Sequence, residues 1–321
     1  MNGISIVIPM FDEARHIART LQAAKAAAEA AGMACELIVV DNGSRDAGPA
    51  LAEAAGARVL HYPGLHIGAL RNRGAAAATY DHLAFIDADI EVPLDWLQEW
   101  SARVQRKDTD VLALACATPA QAPWYARAWQ RRSLPARAEL RPTWLPSANL
   151  CLSHETFQAV GGFNELLRTG EDKDLGLRLQ RQGARQLLLK SPPVLHWGYE
   201  GCWREWLGKE LWRQGSHLQL MRNEKHARWR LLRLPLLALA NGLLTLFALS
   251  AAMVGLLPLA LFSALLSTVP ALLLSLRQSA RQCDPLLSLH LWILHWLRLH
   301  LAGGAFVLSL LNWTARRPAS G

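Results

Sequence analysis

Two carboxylates close an apolar run at Leu83-Ala84-Phe85-Ile86-Asp87-Ala88-Asp89. In an extended chain residues i and i+2 point to one side, so Asp87 and Asp89 can converge on one small volume. Two acids side by side repel, and burying them is costly unless a cation lies between them. A hard divalent ion that prefers oxygen ligands, Mg²⁺ or Mn²⁺, meets that need. The plainer alternative is a solvated acidic turn after a strand. Acids gather elsewhere too. Asp12 and Glu13 follow the first apolar run, Asp41 and Asp46 follow the second, and Glu171, Asp172 and Asp174 precede a helical segment. Acids in a first helical turn are favoured by the helix dipole, so capping alone would account for Glu171 and Asp172.

The segments that must position these acids alternate in type. Ile4–Ile8, Leu37–Val40, Arg58–His61, Leu83–Ile86 and Val111–Ala115 read as strands. Helices are expected over about 14–31, 68–79 and 94–106, the first ending at Gly32 as a left-handed C-terminal glycine would end it. This βαβα rhythm predicts an α/β fold with a mostly parallel sheet covered by helices on both faces. Open sheets of that kind bind ligands beyond the carboxyl ends of their strands. The acids after the first, second and fourth strands therefore converge on one edge. Residues 116–147 break the rhythm with Pro119, Pro123, Pro135, Pro142 and Pro146. Within them, Trp124–Arg132 sets aromatic rings beside cations at helical spacing, which suits a helix at a membrane interface or an acceptor-binding loop, or an irregular insertion packed by its tryptophans. Trp203, Trp206 and Trp212 with Arg204, Lys209 and Arg213 repeat that pattern and suggest a helix on the membrane surface.

The C-terminal part differs in kind. From Leu234 to Leu276 there is no Asp, Glu, Lys, Arg or His, a run about twice the ~20 residues that cross a bilayer. A hairpin of two spans is expected, 234–254 and 256–276, turning near Gly255 and Pro258. Arg222, Lys225, Arg228, Arg230 and Arg233 precede it and Arg277 and Arg281 follow, so both ends should face the cytosol. Segment 286–310 is long enough for a third span, but His290, His295, Arg298 and His300 interrupt it and Arg316 and Arg317 follow, so an interfacial path is an equal expectation. The domain plan is 1–215 catalytic, 216–233 basic juxtamembrane and 234–321 membrane region. The first strand begins almost at Met1 with no signal peptide before it, which predicts a cytoplasmic catalytic domain on the inner membrane. The net charge of +8 is carried mostly by Arg. No nucleic-acid-binding pattern accompanies it, so anionic lipid and phosphate-bearing substrates are the expected partners, and nucleic acid is not. The five cysteines are scattered without a CxxC pair, as expected of small apolar residues in a reducing compartment.

With these motifs in order, the first ~215 residues resemble family 2 glycosyltransferases of the GT-A fold. The resemblance rests on Ser5-Ile6-Val7-Ile8-Pro9-Met10-Phe11-Asp12-Glu13, Val39-Val40-Asp41-Asn42-Gly43-Ser44-Arg45-Asp46, Ala69-Leu70-Arg71-Asn72-Arg73-Gly74-Ala75, Phe85-Ile86-Asp87-Ala88-Asp89, Gly161-Gly162-Phe163-Asn164-Glu165 and Glu171-Asp172-Lys173-Asp174-Leu175. It implies transfer of a sugar from a nucleotide-diphosphate donor with inversion at the anomeric carbon, aided by Mg²⁺ or Mn²⁺. Asp89, with Asp87 acting through water or on the ribose, would hold the ion against the leaving diphosphate. His196 resembles a further metal-site residue. Pro9, Phe11, Glu13, Asp41 and Arg71 would bind the nucleotide: Asp41 at the base edge, Phe11 against the base, Arg71 near the phosphates. Asp172 matches the position of the general base, with Glu171 beside it.

The chain departs from the family pattern at Asp12, where Asn is commoner, and at Met10, where a small hydroxyl residue is commoner. The Gln-x-x-Arg-Trp pattern of processive synthases is absent, which favours single-sugar transfer. The expected acceptor is a lipid-linked saccharide or similar molecule. The rivals are a polyprenyl-phosphate sugar synthase, whose acceptor needs no base, and a non-catalytic nucleotide-sugar-binding membrane subunit.

Overall fold

The computed structural model describes residues 3–135, 137–215, 228–280 and 282–315. Arg222, Lys225, Arg281, Arg316 and Arg317 lie outside the described residues, as do the side chains of Trp212, Arg213, Arg228 and Arg230. The chain divides into two compact units. One is Met1–Ala120 with Leu134–Tyr199; the other is Gln121–Ser133 with Glu200–Gly321.

The first unit is a sheet between helices. In chain order it comprises β1 (Gly3–Met10), α1 (Ile17–Ala30), β2 (Ala34–Asp41), α2 (Gly48–Ala54), β3 (Arg58–His61), α3 (Ile67–Ala76), β4 (His82–Ile86), β5 (Ile90–Glu91), α4 (Trp96–Gln105) and β6 (Val111–Ala117). After the excursion into the other unit come β7 (Glu139–Leu140), β8 (Asn149–Ser153), α6 (His154–Ala159), α7 (Glu171–Arg181) and β9 (Gln186–His196). The sheet order is β3-β2-β1-β4-β8-β6-β9-β5, with β7 also on β9. The βαβ half, β3-β2-β1-β4, is parallel throughout. Beyond it the sheet is mixed: β8 runs antiparallel to β4 and β6, while β6 and β9 are parallel. Only β8 is reversed between β4 and β6; β9, reached through α6 and α7, again runs with the parallel half.

The strands read as unbroken apolar runs because both faces are covered. Alternate residues feed two cores. Ile4, Ile6 and Ile8 meet Val39, Ala84, Ile86, Trp96 and Trp100 on the face of α1 and α4. Val7, Ile38, Val40, Leu83 and Phe85 meet Leu70, Phe157, Phe163, Leu175 and Leu179 on the other. Pro9 does not end β1, which continues to Met10. Pro9 lies past the last residue that β4 pairs, Val7, so on that side its missing N–H deprives no neighbour of a bond.

The second unit comprises α5 (Trp124–Arg131), α8 (Trp203–Gly215), α9 (Arg228–Met253), α10 (Leu257–Ser279) and α11 (Pro285–Ala315). Among the described residues, three stretches are long and apolar enough to cross a membrane: Arg233–Met253, Leu257–Ser279 and Pro285–Leu308, with mean hydropathies of 1.9, 2.1 and 1.4. The expected tight turn is present, with Gly255 at φ +80°. The third stretch is one continuous helix, and the side chains that interrupt its hydropathy have partners within the unit. His295 is buried and lies 2.9 Å from Gln278 Oε1. His300 lies 2.9 Å from Thr245 Oγ1. Ala260, Ser263, Ser267, Ala271, Ser275 and Ser279 form the buried stripe of α10, small residues of the kind that let helices approach closely in lipid.

The aromatic helix α5 packs inside this second unit. Trp129 is buried, stacks edge-on to Trp206 and His295, and donates its Nε1–H to Glu210 at 3.1 Å. Of the two expectations for this segment, the insertion packed by its tryptophans describes Trp129.

Candidate active site

The loops after β1, β2 and β3 are stitched to one another. Asp12, at φ +54°, donates its N–H to Ser44 Oγ at 2.9 Å and accepts from the Arg45 amide at 2.7 Å. Asp46 accepts from the Ala14 amide at 2.8 Å. Asn42 exchanges two hydrogen bonds with the Leu65 backbone, at 3.0 and 3.2 Å. Beside these loops lies a cavity of about 280 Å³ lined by Pro9, Met10, Phe11, Glu13, Asn42, Ile67, Leu70, Asp87, Ala88 and Asp89. Half of the Phe11 surface is exposed there, an apolar face available to a ligand.

Asp41 and Arg71 are absent from that lining. Asp41 instead organises its own turn, accepting from the Gly43 and Ser44 amides, with His61 Nδ1 3.2 Å away. Burial alone would raise its pKa; the donors of Ser44, His61 and Gly43 outweigh burial and hold it below the usual carboxylate range. Arg71 is buried at 1% exposure. It donates through Nη2 to Asp87 Oδ1 at 2.6 Å and through Nη1 to Glu171 Oε1 at 2.9 Å. Burial disfavours its charge, yet Asp87 and Glu171 more than compensate and keep it firmly protonated.

The two acids of the Asp-x-Asp turn take different partners. Asp87 directly follows β4 and accepts from Arg71. Asp89 precedes β5, which crosses to pair with β9 and sets Ile90 opposite His196. His196 Nε2 therefore comes within 3.0 Å of Asp89 Oδ2. The Trp197 amide bonds the Asp89 carbonyl at 2.8 Å, and the Trp197 indole donates to Glu91 at 2.5 Å. A Cβ on Gly198 would fall 1.8 Å from Asp89 Oδ2, so glycine leaves the space that this carboxylate fills. Among the described residues no group of three His, Cys, Asp or Glu side chains is assembled for a metal. Asp89 and His196 supply one carboxylate oxygen and one imidazole nitrogen, a donor pair that suits Mn²⁺ or Mg²⁺ when phosphate oxygens and water complete the shell.

Glu171 and Asp172 open α7 behind Gly170, which holds φ +79°. Glu171 is committed to Arg71. Asp172 is half-buried and accepts from the Lys173 amide at 2.7 Å. Burial first, and the Glu171 charge second, push its pKa up to about 6; the Lys173 amide and Arg71 act the other way. A carboxylate tuned to that range can accept a proton near neutral pH and release it again. The Gly-Gly-Phe turn supports this corner. Asn72 donates to the Phe163 carbonyl and accepts from its amide, both at 2.9 Å. Asn42 and Gly198 escaped sequence reasoning. Asn42 stood inside a quoted motif but read as a turn residue, and Gly198 had only its place after His196-Trp197 to mark it.

Comparison with known proteins agrees with this architecture. Residues 5–163 match the model for Glycosyl transferase family 2. A pre-mycofactocin glycosyltransferase of Mycobacterium tuberculosis is 25% identical over 226 residues, covering 66% of this chain and 46% of that protein. The chain thus spans about half the length of the curated relatives it first matches. Among solved structures, the mannosyltransferase PcManGT from Pyrobaculum calidifontis, in complex with GDP-Man and Mn²⁺, superposes with a TM-score of 0.57 at 16% identity, covering 96% of this chain and 87% of that one. S. aureus TarS 1-349 in complex with UDP-GlcNAc gives 0.50 at 14% identity, covering 95% and 92%. Residues 5–163 thus form a glycosyl transferase family 2 domain, on a GT-A fold.

Proposed function

We propose that this protein is a membrane-anchored, inverting glycosyltransferase that moves one sugar from a nucleotide-diphosphate sugar to a hydroxyl of a lipid-linked saccharide or similar acceptor. The observation that carries this reading is the Asp89–His196 contact, at 3.0 Å, in a loop whose acids Asp87 and Asp89 line the same cavity as Phe11. Phe11 and Pro9 would pack the nucleoside and Glu13 would bound the cavity. Asp41 would act on the base through the turn it fixes. Asp89 and His196 would hold a divalent ion; when bound, it neutralises charge that develops on the leaving diphosphate. The fold neighbours that hold GDP-Man with Mn²⁺ and UDP-GlcNAc support such a donor.

Asp172 would take the proton from the attacking hydroxyl as the new glycosidic bond forms on the face opposite the departing diphosphate. Its pKa of about 6 suits that task, and it favours a hydroxyl acceptor over a phosphate, which is already ionised and needs no base. Glu171 would support Asp172 and not replace it, being paired with Arg71. The apolar helices would anchor the protein, with the ends of the α9–α10 hairpin and the catalytic domain on the cytosolic side of the inner membrane. A panel of nucleotide sugars, with Mn²⁺ or Mg²⁺, scored for binding and for donor turnover by the purified chain, tests the reading. Metal-dependent turnover of at least one donor is expected. Binding without turnover of any donor, even with membrane lipid supplied as acceptor, would favour the non-catalytic subunit.

A further inference from the structure

We propose that Arg71 is a positioning residue: its single guanidinium ties the donor acid Asp87, at the end of β4, to Glu171, at the start of α7, and so sets the spacing between the donor loop and the helix that carries Asp172. This inference rests on the reading of the cavity as a nucleotide-sugar site.

Arg71 reaches two carboxylates from two different elements, at 2.6 Å to Asp87 and 2.9 Å to Glu171. Both distances are as short as charge-assisted bonds or shorter. A phosphate-binding arginine offers its fork to solvent; this one is 1% exposed and has both terminal nitrogens engaged. The helix beneath it has little freedom to shift. A Cβ on Gly74 would lie 2.2 Å from Val7 Cγ1, and one on Gly68 would lie 3.2 Å from Phe163 Cβ. Thus α3 is pressed against β1 on one side and the Gly-Gly-Phe turn on the other. The Phe163 ring also flanks the guanidinium, 5.4 Å from its centre.

A planar fork can serve both acids at once, whereas an ammonium is a single point that cannot span both with the same geometry. Whatever draws Asp87 toward a bound donor must alter how Arg71 holds Glu171, and the reverse follows by linkage. Asp87 and Glu171 should therefore act on donor binding as a coupled pair, with Arg71 as the coupling element.

A double-mutant cycle tests this. Affinities of UDP and GDP, each with Mn²⁺, are measured calorimetrically on the full chain in detergent for Asp87→Asn, Glu171→Gln and their combination. The cycle is repeated in an Arg71→Lys background, which keeps the charge and avoids leaving Asp87 and the buried Glu171 unopposed. With Arg71 present, the combined loss should differ from the product of the single losses by on the order of five- to tenfold. With Lys at position 71 the losses should multiply. A purely structural role would shift thermal unfolding in each variant without making the nucleotide affinities depart from the product. Multiplicative losses in the Arg71 background, with wild-type binding intact, would overturn the positioning role alone. Failure of the wild-type chain to bind either nucleotide would overturn it together with the donor reading.

Discussion

His196 Nε2 lies 3.0 Å from Asp89 Oδ2, although 107 residues separate the two in the chain. Two devices bring them together: β5 leaves β4 to pair with β9, and Gly198 leaves room for the Asp89 carboxylate. Asp89→Ala removes the carboxylate of the pair. Donor affinity and transfer are expected to fall together, and His196→Ala to weaken both less. Calorimetry with nucleotide and Mn²⁺ would measure the first and a turnover assay the second. Donor affinity unchanged in Asp89→Ala would exclude this carboxylate from the donor site.

Gly198→Ala tests the same corner without removing a functional group. Its Cβ would meet Asp89 Oδ2 at 1.8 Å and Asp89 Cγ at 2.8 Å, so the carboxylate must move. Donor affinity should drop with far-ultraviolet circular dichroism unchanged. Gly74→Ala provides the contrast. Its Cβ would strike Val7 Cγ1 at 2.2 Å, and overpacking of that kind costs roughly 1–3 kcal/mol, read as lower thermal stability.

Asp172 links stability to pH with a definite sign. Its pKa is raised from 3.8 to about 6 in the folded protein, so the folded state binds that proton more tightly than the unfolded state does. The resulting stabilisation is full below 3.8 and lost as pH rises through about 6. At neutral pH the ionised group is a local liability. Asp172→Asn should therefore unfold at a higher temperature than wild type above about pH 7, with the difference closing toward about pH 4. Thermal melts across pH would detect an Asp172→Asn protein no more stable at neutral pH, which would contradict the burial of this carboxylate.

Much of the fold was legible because β1, β2 and β4 are buried on both faces and read as apolar runs, with the acids at their ends. The reversed strand β8 was harder to read, because a five-residue strand after a proline-rich excursion carries no signal of its direction. The Asp-x-Asp acids, the cavity side chain Phe11 and the acids of α7 were readable from motif order. The partners of Arg71 were not, since the choice between phosphate and carboxylate is made by burial. The same holds for Trp129. Aromatic and cationic interleaving fits a membrane surface as well as a packed helix, and only the contacts with Trp206, Glu210 and His295 distinguish them. Trp129→Ala should destabilise the second unit by about 3–5 kcal/mol, the scale for a buried tryptophan. Limited proteolysis and thermal unfolding in detergent would show this; an unchanged melt would return Trp129 to the surface role.

Topology can be probed with native thiols. Cys202 and Cys283 are exposed, the first before α8 and the second between α10 and α11. If both ends of the α9–α10 hairpin face the cytosol, a membrane-impermeant maleimide should label Cys283 in inverted vesicles and not in intact cells. Labelling of Cys283 from outside would reverse the hairpin.

The central claim is that Asp172 takes the acceptor proton in a transfer from a nucleotide sugar. Its most direct test is the pH profile of single-turnover transfer from a labelled nucleotide sugar to membrane lipid, for wild type and Asp172→Asn. Wild-type transfer should rise tenfold per pH unit at low pH and level off above about 6, where Asp172 is ionised. Asp172→Asn should bind the donor as wild type does, transfer on the order of 10²-fold more slowly or worse, and lose that limb of the profile. An Asp172→Asn enzyme that keeps near-full transfer with the same pH limb would contradict the account.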